Sequence, residues 1–234
     1  IVYEDENLLL VNKRPGLVVH ADENEKVNTL VNHIQAYLYQ KKEWNPRQEN
    51  SFAPALCNRI DRNTGGIVIA AKTAEALRIL NDKIKDREME KRYLCIVHGR
   101  PKPPEGLIEN YLRRDEKRKQ VTLHRTRVPG AKTARTRYRT LTSHGRLSLV
   151  ECELLTGRTH QIRVHMAHIK HPLVGDPAYG GRLRLLRNAT PELTEALRAF
   201  HRQALHATML KLAHPITGEV MEWHSPTPQD MLDL

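Results

Sequence analysis

The arrangement of short apolar runs is the feature that most constrains the fold of this chain. Residues 67–71 (Ile-Val-Ile-Ala-Ala) have the β-branched density of a central strand, and further runs of strand length stand elsewhere in the sequence. These runs are residues 8–11, 17–20, 93–97, 147–155, 207–212 and 220–223. They occur in clusters rather than in strict alternation with helices. The pattern predicts an α+β fold, with a mixed, mostly antiparallel sheet and flanking helices and loops.

Helices are predicted where apolar residues recur at helical spacing. Leu30, Ile34 and Leu38 have this spacing within residues 29–39. A second helix is expected after Thr73, which is a favourable N-cap residue. Residues 159–169 and 191–201 complete the set. With 234 residues, 39% of them hydrophobic, the chain is predicted to be one catalytic unit over residues 1–234.

The charge of the chain is strongly positive and concentrated in one segment. The formal net charge is +11, which favours polyanionic partners, nucleic acid first among them. Residues 113–139 contain 11 Lys or Arg and only two acids. A hairpin or looped basic arm, at about residues 107–139, is therefore the predicted RNA-contacting surface. Its basic members are Arg113, Arg114, Lys117, Arg118, Lys119, Arg125, Arg127, Lys132, Arg135, Arg137 and Arg139.

The cysteines and the hydropathy favour a cytoplasmic protein. Cys57, Cys95 and Cys152 are an odd number without a CxxC pair, which is typical of thiols in a reducing compartment. No apolar run approaches the roughly 20 residues that span a bilayer, and no signal peptide is recognisable at the start. We expect no membrane association and a monomer. The sequence opens at Ile1 without Met, from which we expect a missing N-terminal piece.

Two segments carry candidate chemistry. Residues 58–66 (Asn-Arg-Ile-Asp-Arg-Asn-Thr-Gly-Gly) set Asp61 between two arginines just before the predicted central strand. Neighbouring cations would keep its carboxylate ionised, although an Asp flanked by Arg is more often a structural ion pair. Residues 155–165 place a Gly turn before a basic helix start, where anions are stabilised.

Taken together, these segments resemble the RluA-type family of pseudouridine synthases. Residues 58–66 are similar to the family pattern H-R-L-D-R-x-T-S-G, and residues 155–165 are similar to L-x-T-G-R-x-H-Q-I-R-x-H. Three further blocks agree in the same order, at residues 11–20, 171–180 and 202–215. The resemblance spans nearly the whole chain. It implies isomerisation of uridine to pseudouridine in structured RNA, without a cofactor or a metal.

The resemblance also implies roles for individual residues. Asp61 would be the catalytic carboxylate that attacks or stabilises the sugar when the N1–C1′ bond breaks, and Arg163 its basic partner. Tyr93 would stack on the uracil or assist removal of the C5 proton. Because a stacked base is out of reach, the uridine must be extruded, and Arg59 would fill the vacated space. Expected RNA-binding residues are Lys13, Arg59, Arg62, Arg114, Lys117, Arg118 and Lys119.

The sequence leaves the RNA substrate and some alternatives open. Ribosomal RNA of the large subunit is the favoured substrate, and transfer RNA is possible. Members of the family often carry a small N-terminal RNA-binding domain, which fits the expected missing piece. Asn58 and Gly65 stand where the family usually has His and Ser. A non-catalytic RNA-binding or ribosome-assembly protein is the alternative function. A ribonuclease function is disfavoured, because the sequence contains no recognisable ribonuclease motif. A metal site built from His160, His165, His168 and His171 has no acidic or thiol ligand at a compatible spacing.

Overall fold

A computed structural model describes residues 1–48, 52–181 and 188–234. Its strands are β1 (Tyr3–Glu4), β2 (Leu8–Lys13), β3 (Ala55–Leu56), β4 (Gly65–Ala71), β5 (Glu90–His98), β6 (Glu105–Asp115), β7 (Gln120–His124), β8 (Lys132–His144), β9 (Leu147–Leu154), β10 (Leu205–Ala213) and β11 (Val220–His224). Its helices are α1 (Leu30–Gln40), α2 (Ala74–Lys85), α3 (Gln161–His168), α4 (Pro191–Ala199) and α5 (Gln229–Leu232). These elements form two compact units. Unit 1 comprises Ile1–Glu90 and Ala207–Pro226, and unit 2 comprises Lys91–His206 and Thr227–Leu234.

Unit 1 is built around strand β4. Its strand order is β1-β2-β4-β10, with β3 beside β4 and β11 beside β10. All seven residues of β4 are buried, as the β-branched run of residues 67–71 predicts. The core joins Leu10 and Ile69 of the sheet to Leu80 of α2 and Trp223 of β11. Burial on both faces explains why β4 shows no polar alternation.

The helices of unit 1 begin where the sequence places them. The Thr29 hydroxyl accepts a hydrogen bond from the Asn32 amide at the start of α1. The Thr73 hydroxyl accepts one from the Ala76 amide at the start of α2. Each threonine thus satisfies a backbone donor that the first turn of a helix leaves unpaired.

The predicted strand at residues 17–20 is wrong. This segment forms only a single bridge, between Val18 and Thr29. The carbonyls of Val18 and Val19 accept hydrogen bonds from the amides of Leu30 and Val31 at the start of α1. Both valines are buried, so the apolar run packs beneath the first turn of a helix instead of joining the sheet.

Unit 2 is an antiparallel sheet with the order β5-β9-β8-β6-β7. The predicted basic arm consists of β6, β7 and most of β8, which confirms the hairpin interpretation. Helix α3 packs against the arm: Val164 joins a buried cluster with Leu112, Val121 and Ala134. A second cluster joins Phe200 and other residues around α4 to the opposite end of the sheet. The mixed, mostly antiparallel α+β fold is therefore confirmed.

Candidate active site

Asp61 lies in the loop between β3 and β4 of unit 1 and is half-buried. Its carbonyl oxygen accepts a hydrogen bond from the Thr64 amide at 3.0 Å, which closes a turn around it. The Asn58 side chain ties this loop to β4: its Oδ1 accepts from the Ile69 amide at 2.8 Å, and its Nδ2 donates to the Ile67 carbonyl at 3.4 Å. Asn58, one of the departures from the family pattern, thus fixes the loop through a neutral amide.

Glycine is required at position 66 because of the backbone conformation and the close approach of Ala207. Its φ is +120°, and a Cβ at this position would lie 2.2 Å from the Ala207 carbonyl oxygen. Only glycine has both the backbone freedom and the missing side chain that this approach demands. The end of the Asp61 loop is therefore held in a tight and specific path.

Lys13 is buried beneath the Asp61 loop. Its side chain is only 2% exposed. The ammonium donates hydrogen bonds to the carbonyls of Arg14, Leu17 and Arg62 at 3.0, 2.7 and 2.9 Å. The Arg62 carbonyl also accepts from the Gly16 amide at 2.8 Å. Three N–H donors are thus used inside the protein, and this geometry does not favour the expected contact between Lys13 and RNA.

The two arginines beside Asp61 differ in their surroundings. Arg62 is exposed and pairs with Asp22, its Nη2 lying 2.9 Å from Oδ2. Arg59 is exposed. Burial, and secondarily the charge of Arg59, lowers the pKa of His20. Arg59 is therefore the better placed of the two for a contact with a phosphate group.

Tyr93 lies on β5 of unit 2, opposite Cys152 of β9, and is 7% exposed. Lys91, two residues earlier on the same strand, has its side chain on the same face. A Cβ on Gly157 would lie 3.2 Å from the Lys91 Nζ. Burial lowers the pKa of Lys91. Lys91 is not among the site residues expected from the sequence, although its period-two spacing places it on the face of Tyr93.

Arg163 on α3 forms a buried ion pair with Asp176. The Arg163 Nε donates to Asp176 Oδ2 at 2.7 Å and the Nη2 donates to Oδ1 at 3.0 Å. Their side chains are 7% and 0% exposed. Asp176 Oδ1 also accepts from the Ala178 amide at 2.9 Å. This two-point contact fixes the plane of the guanidinium, and it is a partner that the sequence did not assign to Arg163.

The start of α3 is held by Gln161. Its side-chain oxygen accepts from the Thr156 hydroxyl at 2.8 Å and from the Arg158 amide at 3.1 Å, while its amide group donates to the Arg135 carbonyl at 2.9 Å. The preceding residue, His160, has a left-handed backbone with φ +55° and gives the helix no side-chain cap. The predicted helix therefore begins two residues later than expected, and anion binding at its start stays a prediction.

The cations of the basic arm differ in their surroundings. Three arginines on β8, here termed the strand arginines, pair across the sheet with acids of β6 and β9. Their nitrogen–oxygen distances to Glu109, Glu153 and Glu151 are 2.8, 2.7 and 3.1 Å. The strand arginines are Arg135, Arg137 and Arg139. Their partners lie outside residues 113–139 in sequence, and so the excess charge along β8 is smaller than the sequence indicates.

Six further cations lie at or near the β6–β7 turn and in the β7–β8 loop, and the remaining two, Arg113 and Lys132, lie on β6 and β8. Four residues at the turn, here termed the tip cations, are exposed: Arg114, Lys117, Arg118 and Lys119. Two of them lie near acids of the same turn, with Arg114 Nε 3.3 Å from Glu116 Oε2 and Arg118 Nε 3.9 Å from Asp115 Oδ2. Asp115 uses its Oδ1 to accept from the amides of Lys117 and Arg118 at 3.0 and 3.1 Å, so this acid shapes the turn. In the β7–β8 loop, Arg125 and Arg127 are exposed. Positive charge is thus exposed both at the turn and in this loop.

The histidines do not form a metal site within the described residues. His165 is fully buried, with Nδ1 at 2.8 Å from the Thr136 hydroxyl and Nε2 at 2.9 Å from Asn110 Oδ1. Burial, with a smaller contribution from His168, lowers its pKa to about 4. The sequence allowed RNA-facing histidines here, but His165 instead fastens α3 to β8 and β6.

Comparison with known proteins identifies the family. Residues 7–168 match the family described as RNA pseudouridylate synthase. This chain belongs to that family. The RNA pseudouridine synthase is therefore an isomerase, as the motifs around Asp61 and Arg163 predict, and the expected family membership is confirmed.

Curated relatives extend the match to the whole chain. The synthase is 43% identical over 237 residues to the ribosomal large subunit pseudouridine synthase D of Escherichia coli K12, covering 100% of this chain and 68% of the relative. It is 41% identical over 234 residues to the protein of the same name from Pasteurella multocida, covering 100% of this chain and 69% of the relative.

Solved structures support the fold. Human RNA Pseudouridylate Synthase Domain Containing 4 superposes with a TM-score of 0.76 at 24% identity, covering 100% of this chain and 90% of that chain. Human RNA Pseudouridylate Synthase Domain Containing 1 gives a TM-score of 0.69 at 24% identity, covering 97% and 82%. None of the helices in the described residues is long and apolar enough to cross a bilayer.

Proposed function

We propose that this synthase converts uridine to pseudouridine in ribosomal RNA of the large subunit. The observation that carries the proposal is its 43% identity, over the whole chain, to a synthase named for the ribosomal large subunit. The exposed cations of the β6–β7 turn and the β7–β8 loop provide the charge that a folded RNA would neutralise. Transfer RNA is the competing substrate, which the experiment below separates from ribosomal RNA.

For the chemistry, we propose that Asp61 is the catalytic carboxylate, with Tyr93 and Arg163 as its partners in the reaction. The isomerisation breaks the N1–C1′ bond, turns the uracil, joins C5 to C1′ and releases the C5 proton. A carboxylate can attack or stabilise the electron-poor sugar carbon. The Tyr93 phenol would stack on the uracil or assist transfer of the C5 proton. Because Asp176 already orients Arg163, this guanidinium needs little reorganisation during the reaction.

For RNA binding, we propose two groups of contacts. Arg59, exposed and beside Asp61, would occupy the space that the extruded uridine leaves. The tip cations would bind phosphates at a distance from the reacting base. For Lys13 and Arg62 we propose a positioning role instead, because the ammonium of Lys13 holds the Arg62 carbonyl and Arg62 pairs with Asp22.

We further propose a monomeric, cytoplasmic catalytic domain over residues 1–234. The thiols are consistent with a reducing compartment, since the buried Cys95 and Cys152 have their Sγ atoms 3.9 Å apart and are not disulfide-bonded. The hydrogen bond with Cys152, and after it burial, raises the pKa of Cys95, which disfavours the reactive thiolate.

The test is tritium release from RNA labelled at C5 of uridine. Ribosomal RNA and transfer RNA are each prepared from cells that lack this gene, and the sites in any reactive RNA are then mapped. Release from ribosomal RNA alone is expected. Release from transfer RNA alone would contradict the proposed substrate, whereas absence of release from both would contradict the proposed reaction.

A further inference from the structure

Tyr179 contacts both the basic arm and the helix that carries Arg163. Its hydroxyl accepts a hydrogen bond from the Val121 amide of β7 at 2.9 Å. The same oxygen lies 2.7 Å from His160 Nδ1, and its own proton is available for that nitrogen. The Arg163 Cζ lies 5.2 Å from the centroid of the Tyr179 ring, within the range of a cation–π contact. One side chain thus joins a strand of the arm to a proposed catalytic group.

The hydroxyl of Tyr179 accepts a hydrogen bond from the Val121 amide, which has no partner within the described part of the sheet. Strand β7 ends the order β5-β9-β8-β6-β7, so it pairs with β6 alone among the described strands of unit 2. The amide of Val121 therefore points away from the sheet, and Val121 itself is only 7% exposed. A buried edge amide needs an acceptor, which here is a side chain from residues 171–181.

Helix α3 is fastened to the arm on one face and carries Arg163 on another. Gln161, Val164 and His165 are spaced at i, i+3 and i+4, and all three contact arm strands. Arg163 is directed instead to Asp176 and the Tyr179 ring. A displacement of β7 would therefore reach Arg163 by two routes, through the helix and through Tyr179.

We propose that Tyr179 is a positioning residue that couples RNA binding at the basic arm to the placement of Arg163. RNA bound by the tip cations would hold the β6–β7 hairpin, and the hydrogen bond from Val121 would in turn hold the phenol ring against the guanidinium. His160, with its left-handed backbone, is kept in place by the same hydroxyl. This inference rests on the proposed roles of the arm and of Arg163.

The test is a double-mutant cycle between Tyr179→Phe and the tip cations changed to Gln. Single-turnover rate constants are measured at saturating RNA, so that weaker affinity does not enter the comparison. Tyr179→Phe alone should lower this rate constant roughly 3- to 10-fold, the value of one lost hydrogen bond. In the wild-type background, the tip substitutions should lower it by about threefold or more. In the Tyr179→Phe background they should lower it by less than about twofold.

Tyr138→Phe is the matched control for loss of a buried hydroxyl. Tyr138 lies on β8 and donates to the Pro103 carbonyl at 3.0 Å. This variant should leave the saturated rate within about twofold and keep the full effect of the tip substitutions. Hydrogen exchange of the Val121 amide, followed by NMR, should accelerate in Tyr179→Phe and not in Tyr138→Phe.

Two results would overturn the coupling. One is that the tip substitutions lower the saturated rate by the same factor with and without the Tyr179 hydroxyl. The other is that they leave this rate unchanged in the wild-type background. The proposed function has a separate test, because turnover that survives Asp61→Asn would contradict it whatever the outcome of the cycle.

Discussion

Changing Asp176 to Asn removes the counter-charge of a buried arginine while keeping the shape of the side chain. The pair is bidentate, at 2.7 and 3.0 Å, and its side chains are 7% and 0% exposed. Breaking a buried pair on one side leaves an uncompensated charge and costs about 3–5 kcal/mol. For Asn the expected loss is at the lower end, about 3 kcal/mol, because the amide oxygen still accepts one hydrogen bond.

Urea unfolding followed by circular dichroism measures this loss. Glu153→Gln is the matched control, since it removes a carboxylate from Arg137, whose side chain is 60% exposed. Exposed pairs contribute about 0–1 kcal/mol, so the control should stay within that range. For a chain of this size a loss of about 3 kcal/mol corresponds to a melting temperature roughly 6–12 °C lower.

The double variant Asp176→Asn/Arg163→Gln makes the cause identifiable. If the cost arises from the unpaired guanidinium, removing that charge should recover part of the stability lost in Asp176→Asn, and the two substitutions should not be additive. A loss of less than about 1 kcal/mol in Asp176→Asn, equal to that of Glu153→Gln, would refute the reasoning.

Three further predictions concern pH, salt and the Asp61 loop. The pKa of His165 falls from its ordinary 6.5 to about 4 on folding. As pH drops, His165 is therefore protonated in the unfolded chain before it is protonated in the folded one. The free energy of unfolding should fall by about 3 kcal/mol between about pH 6.5 and about pH 4. His165→Gln should flatten this dependence in acid titrations of unfolding, and the exposed His144→Gln should not; equal slopes would contradict the assignment. Neutralising the tip cations should weaken RNA binding and reduce the slope of log affinity against log salt concentration by up to about 0.9 per lost phosphate contact. Neutralising the strand arginines should change this salt slope less. The reverse order would assign the interface to β8. Lys13→Met should lower turnover and melting temperature without changing the salt slope, and a slope reduced by about one would instead indicate a phosphate contact.

The sequence predicted the elements whose signals are local. The β-branched run of β4 and the threonine caps of α1 and α2 depend on neighbouring residues, and the structure confirms them. The strand predicted at residues 17–20 was wrong, because apolar content alone does not distinguish a strand from a segment packed under a helix. The tertiary contact with α1 decided between these two.

The site residues were predicted from motifs, but the contacts that hold them in place could not be predicted from the sequence. The acids that pair with the strand arginines come from other strands, so a count of charges along the chain could not find them. The burial of Lys13 under three carbonyls likewise depends on residues up to 49 positions away. The contact of Tyr179 with Val121 spans 58 positions. Such contacts are set by topology, which local patterns do not specify.

The most direct test of the central claim compares the wild-type synthase with Asp61→Asn in single-turnover tritium release from ribosomal RNA, with RNA affinity measured in parallel. Asn keeps the shape of the side chain and removes the charge that the chemistry needs. We predict that release is abolished while affinity stays within a few fold. Release above about a tenth of the wild-type rate would contradict the role of Asp61, since loss of an essential catalytic group costs far more.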